Sequence, residues 1–394
     1  MSLHPLPLAG TSVLDLSRLL PGAYCSLLLA DLGANVIKIE DLKGGDYLRW
    51  IPPLVDEYGI YYHVTNRNKK SVALDLTQPK GKKVFQRLVA GVDVVLEGFR
   101  PGVMDRLGLS YEALRVINPR LVYCAISGFG QEGPYRLRAG HDINYISIAG
   151  ILGATGEADG PPTLPAVQVA DFSGSYSAAV GILAALVGRA ASGHGRMVDI
   201  SLTDSALSFM AVHIARNWFE RSGFPRGQGM LSGGLACYNV YATQDKKWLA
   251  LGALEPKFWK AFVTLAGHDD LVDRQFEENQ ASLRKSVAAI VAAKTQEEWV
   301  ALGRNHDICC EAVYELDEVE RDPHLQAREV FIRVALPGGG QSIQIRCPIR
   351  LTETAAAPAQ PAPKYGQDTQ ATLAAHGFSE AEIKELVAEK VVLG

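Results

Sequence analysis

Between Thr11 and Glu40 the chain reads strand, helix, strand, and that order narrows the folds open to it. Thr11–Leu16 (TSVLDL) is an apolar run of strand length. Pro21–Leu32 opens with a proline suited to a first helical turn and closes at Gly33. Val36–Glu40 (VIKIE) is a second strand, completing a βαβ unit with parallel strands and a crossover helix. Further strand-like runs follow at Val72–Leu76, Val92–Glu97, Leu121–Ile126 and Met197–Leu202. From about Tyr238 the pattern changes to a hairpin (CYNVYAT, KKWLALGAL) followed by helices near Pro256–Ala266, Leu283–Ala293 and Gln296–Gly303. The expected class is α/β: a Rossmann-like large domain plus a smaller α+β domain. Residues 1–224 form the first part of the large domain, 225–325 the small one, and 326–394 a return segment ending in two helices, the second capped at Ser379.

Glu40 ends its strand where the ribose-binding acid of a dinucleotide fold would stand. The preceding turn is Arg18-Leu-Leu-Pro-Gly22 rather than GxGxxG, so NAD binding is rejected. Asn66–Ser71 (NRNKKS) reads as a basic turn, and a solvated loop is the usual fate of such a run. Arg67, Lys69 and Lys70 are nevertheless close enough to converge on phosphate groups. Arg100, in FRPG, follows a strand end, where ligands bind in α/β sheets, and its fork of donors suits a pyrophosphate.

The stretch Arg138–Arg189 carries the chemistry. His141 and Asp142 follow Gly140, and Asp171 opens the small-residue, apolar run Phe172–Arg189, long enough for a buried helix. At or beside the N-cap, the Asp171 carboxylate stays ionised as base or nucleophile, and nearby N–H groups serve an oxyanion. The plainer readings are a simple cap for Asp171 and a structural role for His141. Gly128, Gly130 and Gly133 in the preceding turn allow positive φ near a ligand's flexible arm. Gly156–Pro165, between the two candidates, suits a mobile acyl-binding flap, with Met230 and Leu231 as further candidates for lining the acyl site.

Composition removes other classes. A net charge of −4 over 394 residues leaves no electrostatic footprint for nucleic acid. Met1–Gly10, broken by Pro5 and Pro7, reads as no signal peptide, and no run of about 18 apolar residues is expected to span a membrane. Six cysteines without metal spacing read as reduced thiols of a cytoplasmic protein, with no metal site. Thr352–Lys364 (TETAAAPAQPAPK) is an extended Pro/Ala-rich connector.

GHDINY (140–145), VADFSG (169–174) and GALEPKFW (252–259) resemble, in order and spacing, the α-methylacyl-CoA racemase branch of the family III CoA-transferase superfamily. The likeness continues through LLADLGANVIKIE, NRNKKSVALDL, LEGFRPGVMDRLGLSYEAL, ISGFGQEGPY and GRMVDISLTDSAL, so it covers essentially the whole chain. It implies a homodimer of two interlocked chains and an acyl-CoA thioester substrate, with coenzyme A as part of that substrate and no separate cofactor. It implies an isomerase of lipid metabolism that racemises C2 of a 2-methyl-branched acyl-CoA. His141 and Asp171 would face opposite sides of that carbon, and Glu255 would orient His141. Arg67, Asn68, Lys69, Arg100, Gly140, Asp142 and Tyr145 would hold the CoA moiety. The transferase branch offers the alternative: acyl-CoA:carboxylate CoA transfer with Asp171 as covalent nucleophile.

Overall fold

The computed structural model describes residues 4–221, 223–354 and 359–394; part of the 352–364 connector therefore lies outside the described residues. The chain forms two compact units. The first gathers the described residues up to Ala149 with Val167–Phe209 and Glu329–Gly394; the second comprises Gly150–Ala166 and Met210–Arg328. The boundaries thus fall at 209/210 and 328/329, where the sequence places them at 224/225 and 325/326, and the 150–166 loop groups with the second unit.

The first unit is built on β1 (Ser12–Asp15), β2 (Asn35–Glu40), β3 (Lys69–Ala73), β4 (Val94–Glu97), β5 (Val122–Ser127) and β6 (Met197–Ser201). They form one sheet in the order β3-β2-β1-β4-β5-β6 with every neighbour parallel. The order reverses between β1 and β4, the switch point of a Rossmann-like sheet. β1, β2, β4 and β5 are nearly all buried residues, as a parallel sheet covered on both faces requires. One face packs on α1 (Leu19–Asp31), which begins two residues before the proline expected to open it. The core that includes α2 (Pro79–Val89) is closed by the end of the chain: Leu373, Ile383, Leu386 and Val391 join Phe85, Leu88 and Val95.

Glu40, at the end of β2, is committed internally. Its two oxygens accept from Arg49 Nε and Nη2 at 2.8 and 2.7 Å, and both side chains are buried. Arg49 also donates to the Pro363 carbonyl at 3.2 Å, tying the returning chain to the sheet. In the second unit, strands Tyr238–Ala242, Trp248–Gly252 and Cys310–Ala312 form an antiparallel sheet over a core of Trp259, Phe262 and Trp299.

Candidate active site

Two helices of the first unit meet at the site. α3 (Asp142–Ile148) follows the glycine-rich turn after β5, and α4 (Val169–Ser192) follows the 150–166 loop. The expectation of no membrane-length apolar run is corrected by α4, whose 24 residues and mean hydropathy of 1.4 suffice by length and composition. Its apolarity has a local cause: it packs against α1, β5, β6 and the helix Leu202–Ser208. That last helix is capped by Ser201, whose Oγ accepts from the Asp204 N–H at 3.1 Å.

Asp171 is the third residue of α4 and not its N-cap; the N-cap residue, Gln168, makes no side-chain capping bond. The cap comes from α3 instead. Asp142 Oδ1 accepts from the Ala170 N–H at 2.6 Å and from the Asp171 N–H at 3.1 Å. The next donor, the Phe172 N–H, bonds the Gln168 carbonyl. The N–H groups at the head of α4 that the sequence assigned to an oxyanion are therefore occupied. His141 precedes Asp142, so these bonds hold the turn that carries His141 close to the head of α4: His141 lies exposed at the start of α3, and Asp171 is half-buried in the first turn of α4.

The electrostatics of Asp171 also differ from expectation. Burial, and then the neighbouring Asp142 charge, push its carboxyl up to about 7, so it is not held ionised at neutral pH. Among the described residues no cation pairs with it. Tyr145, on the inner face of α3, donates from its hydroxyl to the Gly140 carbonyl at 2.6 Å. Burial pushes its phenol up to about 12. Its ring fills the space that side chains at Gly128 and Gly140 would need: a Cβ there would lie 2.5 and 2.7 Å from the ring. Gly130 and Gly133 do take positive φ, whereas close approach alone explains Gly128.

The basic residues divide. Lys69 and Lys70 belong to β3, because pairing with β2 carries the strand back through them, so there is no basic turn at that point. Lys69 is buried, donating to the Ala23 carbonyl at 2.8 Å and to Asn66 Oδ1 at 2.9 Å. Arg67 is buried against Asp31, 2.5 Å from Nη2, and also donates to Gln344 Oε1 at 2.9 Å. Asn68 donates to the same aspartate. The convergence of Arg67 and Lys69 on phosphate is thus corrected: internal acceptors hold both side chains. Lys70 is exposed.

Arg100 remains available. It is exposed, its side chain without a hydrogen-bond or ion-pair partner among the described residues, and it lines a small cavity of about 140 Å³ with Glu97, Asp105 and Gln131. Glu97, at the end of β4, has its carboxyl pushed up to about 8 by burial. Across the switch point stands Arg18, just after β1, paired with Asp41 and lying over the rings of Tyr47 and Phe99 at 5.3 and 5.7 Å. Sequence reasoning passed over Arg18; its signal was a basic residue directly after a first Rossmann strand. Glu255 is exposed at the start of the helix Pro256–Leu265 in the second unit.

A doubly covered parallel sheet with this strand order defines a Rossmann-like α/β protein, with the turn at His141 and the head of the Asp171 helix joined beside it. The family model described as CoA-transferase family III matches residues 8–369, and the chain belongs to that family. Human alpha-methylacyl-CoA racemase is 35% identical to it over 393 residues, covering 98% of each chain. Succinate–glutarate CoA-transferase of Agrobacterium fabrum is 33% identical over 383 residues, covering 93% of this chain and 95% of that one. A CAIB/BAIF family protein from Brucella suis superposes with a TM-score of 0.82 at 30% identity, over 95% of this chain and 100% of that structure. The chain is thus an enzyme of a superfamily that includes both racemases and CoA-transferases.

Proposed function

We propose that this enzyme racemises C2 of a 2-methyl-branched acyl-CoA thioester by 1,1-proton transfer. One base takes the α-proton, the electron pair moves onto the thioester oxygen as an enolate, and an acid on the opposite face returns a proton to C2. The observation that carries this reading is the pair of bonds from the Ala170 and Asp171 N–H groups to Asp142, which hold the turn of His141 beside Asp171, whose carboxyl burial and Asp142 push up to about 7. A group that both takes and gives a proton works best with its pKa near the operating pH. Remote binding of the CoA arm would hold C2 between the two groups. The test is incubation of the enzyme with a single epimer of a 2-methylacyl-CoA in D₂O. One deuterium at C2 together with epimerisation supports the reading, and neither overturns it.

The transferase relatives favour a second reading, in which Asp171 attacks the thioester carbonyl and CoA thiolate leaves, giving an aspartyl–acyl anhydride; the thiolate then attacks the aspartyl carbonyl, releasing the donor carboxylate and leaving an aspartyl–CoA thioester, from which CoA passes to the acceptor carboxylate by the same steps in reverse. Hydroxylamine trapping discriminates: a modified Asp171 peptide after incubation with acyl-CoA identifies the transferase, and unmodified peptide with C2 exchange identifies the racemase.

The CoA nucleotide is assigned to the switch point between β1 and β4, where such sheets bind ligands, with Arg18 following β1 and Arg100 following β4. Arg100→Ala is expected to weaken CoA binding about 10- to 100-fold, the worth of one charge-assisted hydrogen bond. Titration calorimetry checks this, and NAD should give no comparable heat.

A homodimer is likewise proposed. The helix Ala211–Glu220 leaves Val212, Trp218 and Phe219 exposed by 74, 70 and 80%, an apolar surface more typical of an interface than of a monomer. Sedimentation velocity over a hundredfold dilution should show a constant dimer. A monomer appearing on dilution would rule out interlocked chains.

A further inference from the structure

We infer that Asp142 is a positioning residue: through its bonds to two backbone N–H groups it joins the His141 turn to the head of α4, and its charge sets the electrostatic surroundings of Asp171. This rests on Asp171 being the reacting carboxyl, which both readings above share, and it replaces the assignment of Asp142 to CoA binding.

Three observations carry it. First, Asp142 is a cap supplied from another helix. Gln168 at the N-cap makes no side-chain bond, yet the second and third N–H groups of α4 both reach Asp142 Oδ1, at 2.6 and 3.1 Å. A carboxylate there completes the helix end and favours the positive end of its dipole. Second, those two donors are the ones the Asp171 carboxylate would otherwise compete for. Backbone N–H groups given to a carboxylate lower its pKa, and withholding them removes that effect. Third, Asp142 places a like charge next to Asp171, and after burial it is the sole charged group shifting Asp171.

The surrounding elements supply no counterweight. Tyr145, from α3, faces Asp171 as a neutral phenol. Tyr24 of α1 packs edge-on to Phe172 and meets the Tyr176 hydroxyl at 3.3 Å. Asp204, on the helix Leu202–Ser208, acts on Asp199. Arg100 acts on Tyr145. His141 adjoins Asp142 in the chain and is exposed. One residue thus performs two tasks that oppose each other at an ordinary helix end. It satisfies the N-terminus, and it keeps the adjoining carboxyl able to hold a proton near neutrality.

The two tasks separate in Asp142→Asn, which keeps an acceptor oxygen for both N–H groups and removes the charge. The measurement is the titration of the Asp171 carboxyl carbon by NMR in the full-length, substrate-free protein labelled with [¹³C]aspartate, the resonance being identified by its loss in Asp171→Asn. The wild-type midpoint should lie near 7, and Asp142→Asn should lower it by about one unit, the scale of a neighbouring like charge. An unchanged midpoint overturns the inference. Should Asp142→Asn fold poorly, Asp142→Ser, a shorter neutral cap, carries the same expectation. Because no substrate is present, the result is independent of the reaction. A shifted midpoint in a protein that neither exchanges C2 protons nor transfers CoA sinks the proposed function and leaves the role of Asp142 standing.

Discussion

Asp171→Asn and His141→Ala are each expected to abolish interconversion of the C2 epimers of a 2-methylacyl-CoA if the enzyme is the proposed racemase, because inversion needs a working group on both faces. Removal of a positioned acid or base costs about 10²–10⁴ in rate, well within the range of a chiral acyl-CoA assay. Deuterium exchange with retention survives in each variant from the epimer whose α-proton faces the remaining base, so the two variants should retain exchange from opposite epimers. The pH dependence follows from the Asp171 carboxyl at about 7. In the direction where Asp171 removes the proton it must be ionised and the opposite acid protonated, and the reverse direction needs the two states exchanged. Both states carry the same number of protons, and the equilibrium between epimers is independent of pH, so kcat/KM is expected to follow the same bell-shaped profile in both directions, with one limb near the Asp171 value of about 7. Under CoA transfer, Asp171→Asn alone removes activity, and His141→Ala leaves much of it; wild-type racemisation by His141→Ala would eliminate the two-base assignment.

Arg49→Met is expected to destabilise the first unit by about 3–5 kcal/mol, the scale for stranding one member of a buried ion pair. Arg49 is fully buried, pairs with both oxygens of Glu40, lies 3.8 Å from the centroid of the Tyr62 ring and holds the Pro363 carbonyl. Its loss leaves Glu40 as an uncompensated buried carboxylate and frees the returning chain at Pro363 from this anchor. The reading is the denaturant midpoint of the transition that reports the first unit. The double variant Arg49→Met, Glu40→Gln should regain much of the loss, since it leaves no unpaired charge in the core. A double variant no more stable than Arg49→Met alone would show that packing around the guanidinium, rather than charge, is what matters there.

What the chain's own order determined is the layer architecture, and it did so through local pattern. The βαβ reading of Thr11–Glu40 stands in β1, α1 and β2 with ends shifted by a residue or two, because side-chain periodicity and the Gly33 stop act over a few neighbours. The missing GxGxxG was equally local, as was the cap at Ser379. His141 and Asp171 were legible as candidates from the small, apolar run that follows the aspartate and from the motif each sits in. Tertiary structure alone decided what surrounds them. Asp142 reaches the Ala170 and Asp171 N–H groups 28 and 29 positions away, taking donors the sequence had assigned to an oxyanion. Arg67 meets Asp31 and Gln344, separated from it by 36 and 277 positions, and Lys69 meets the carbonyl of Ala23, 46 positions off. A basic residue in a sequence carries its charge but not its partner. Burial removes water as an alternative acceptor, so whichever carboxylate or carbonyl the fold brings within 3 Å takes the charge, and only the packed chain specifies which that is.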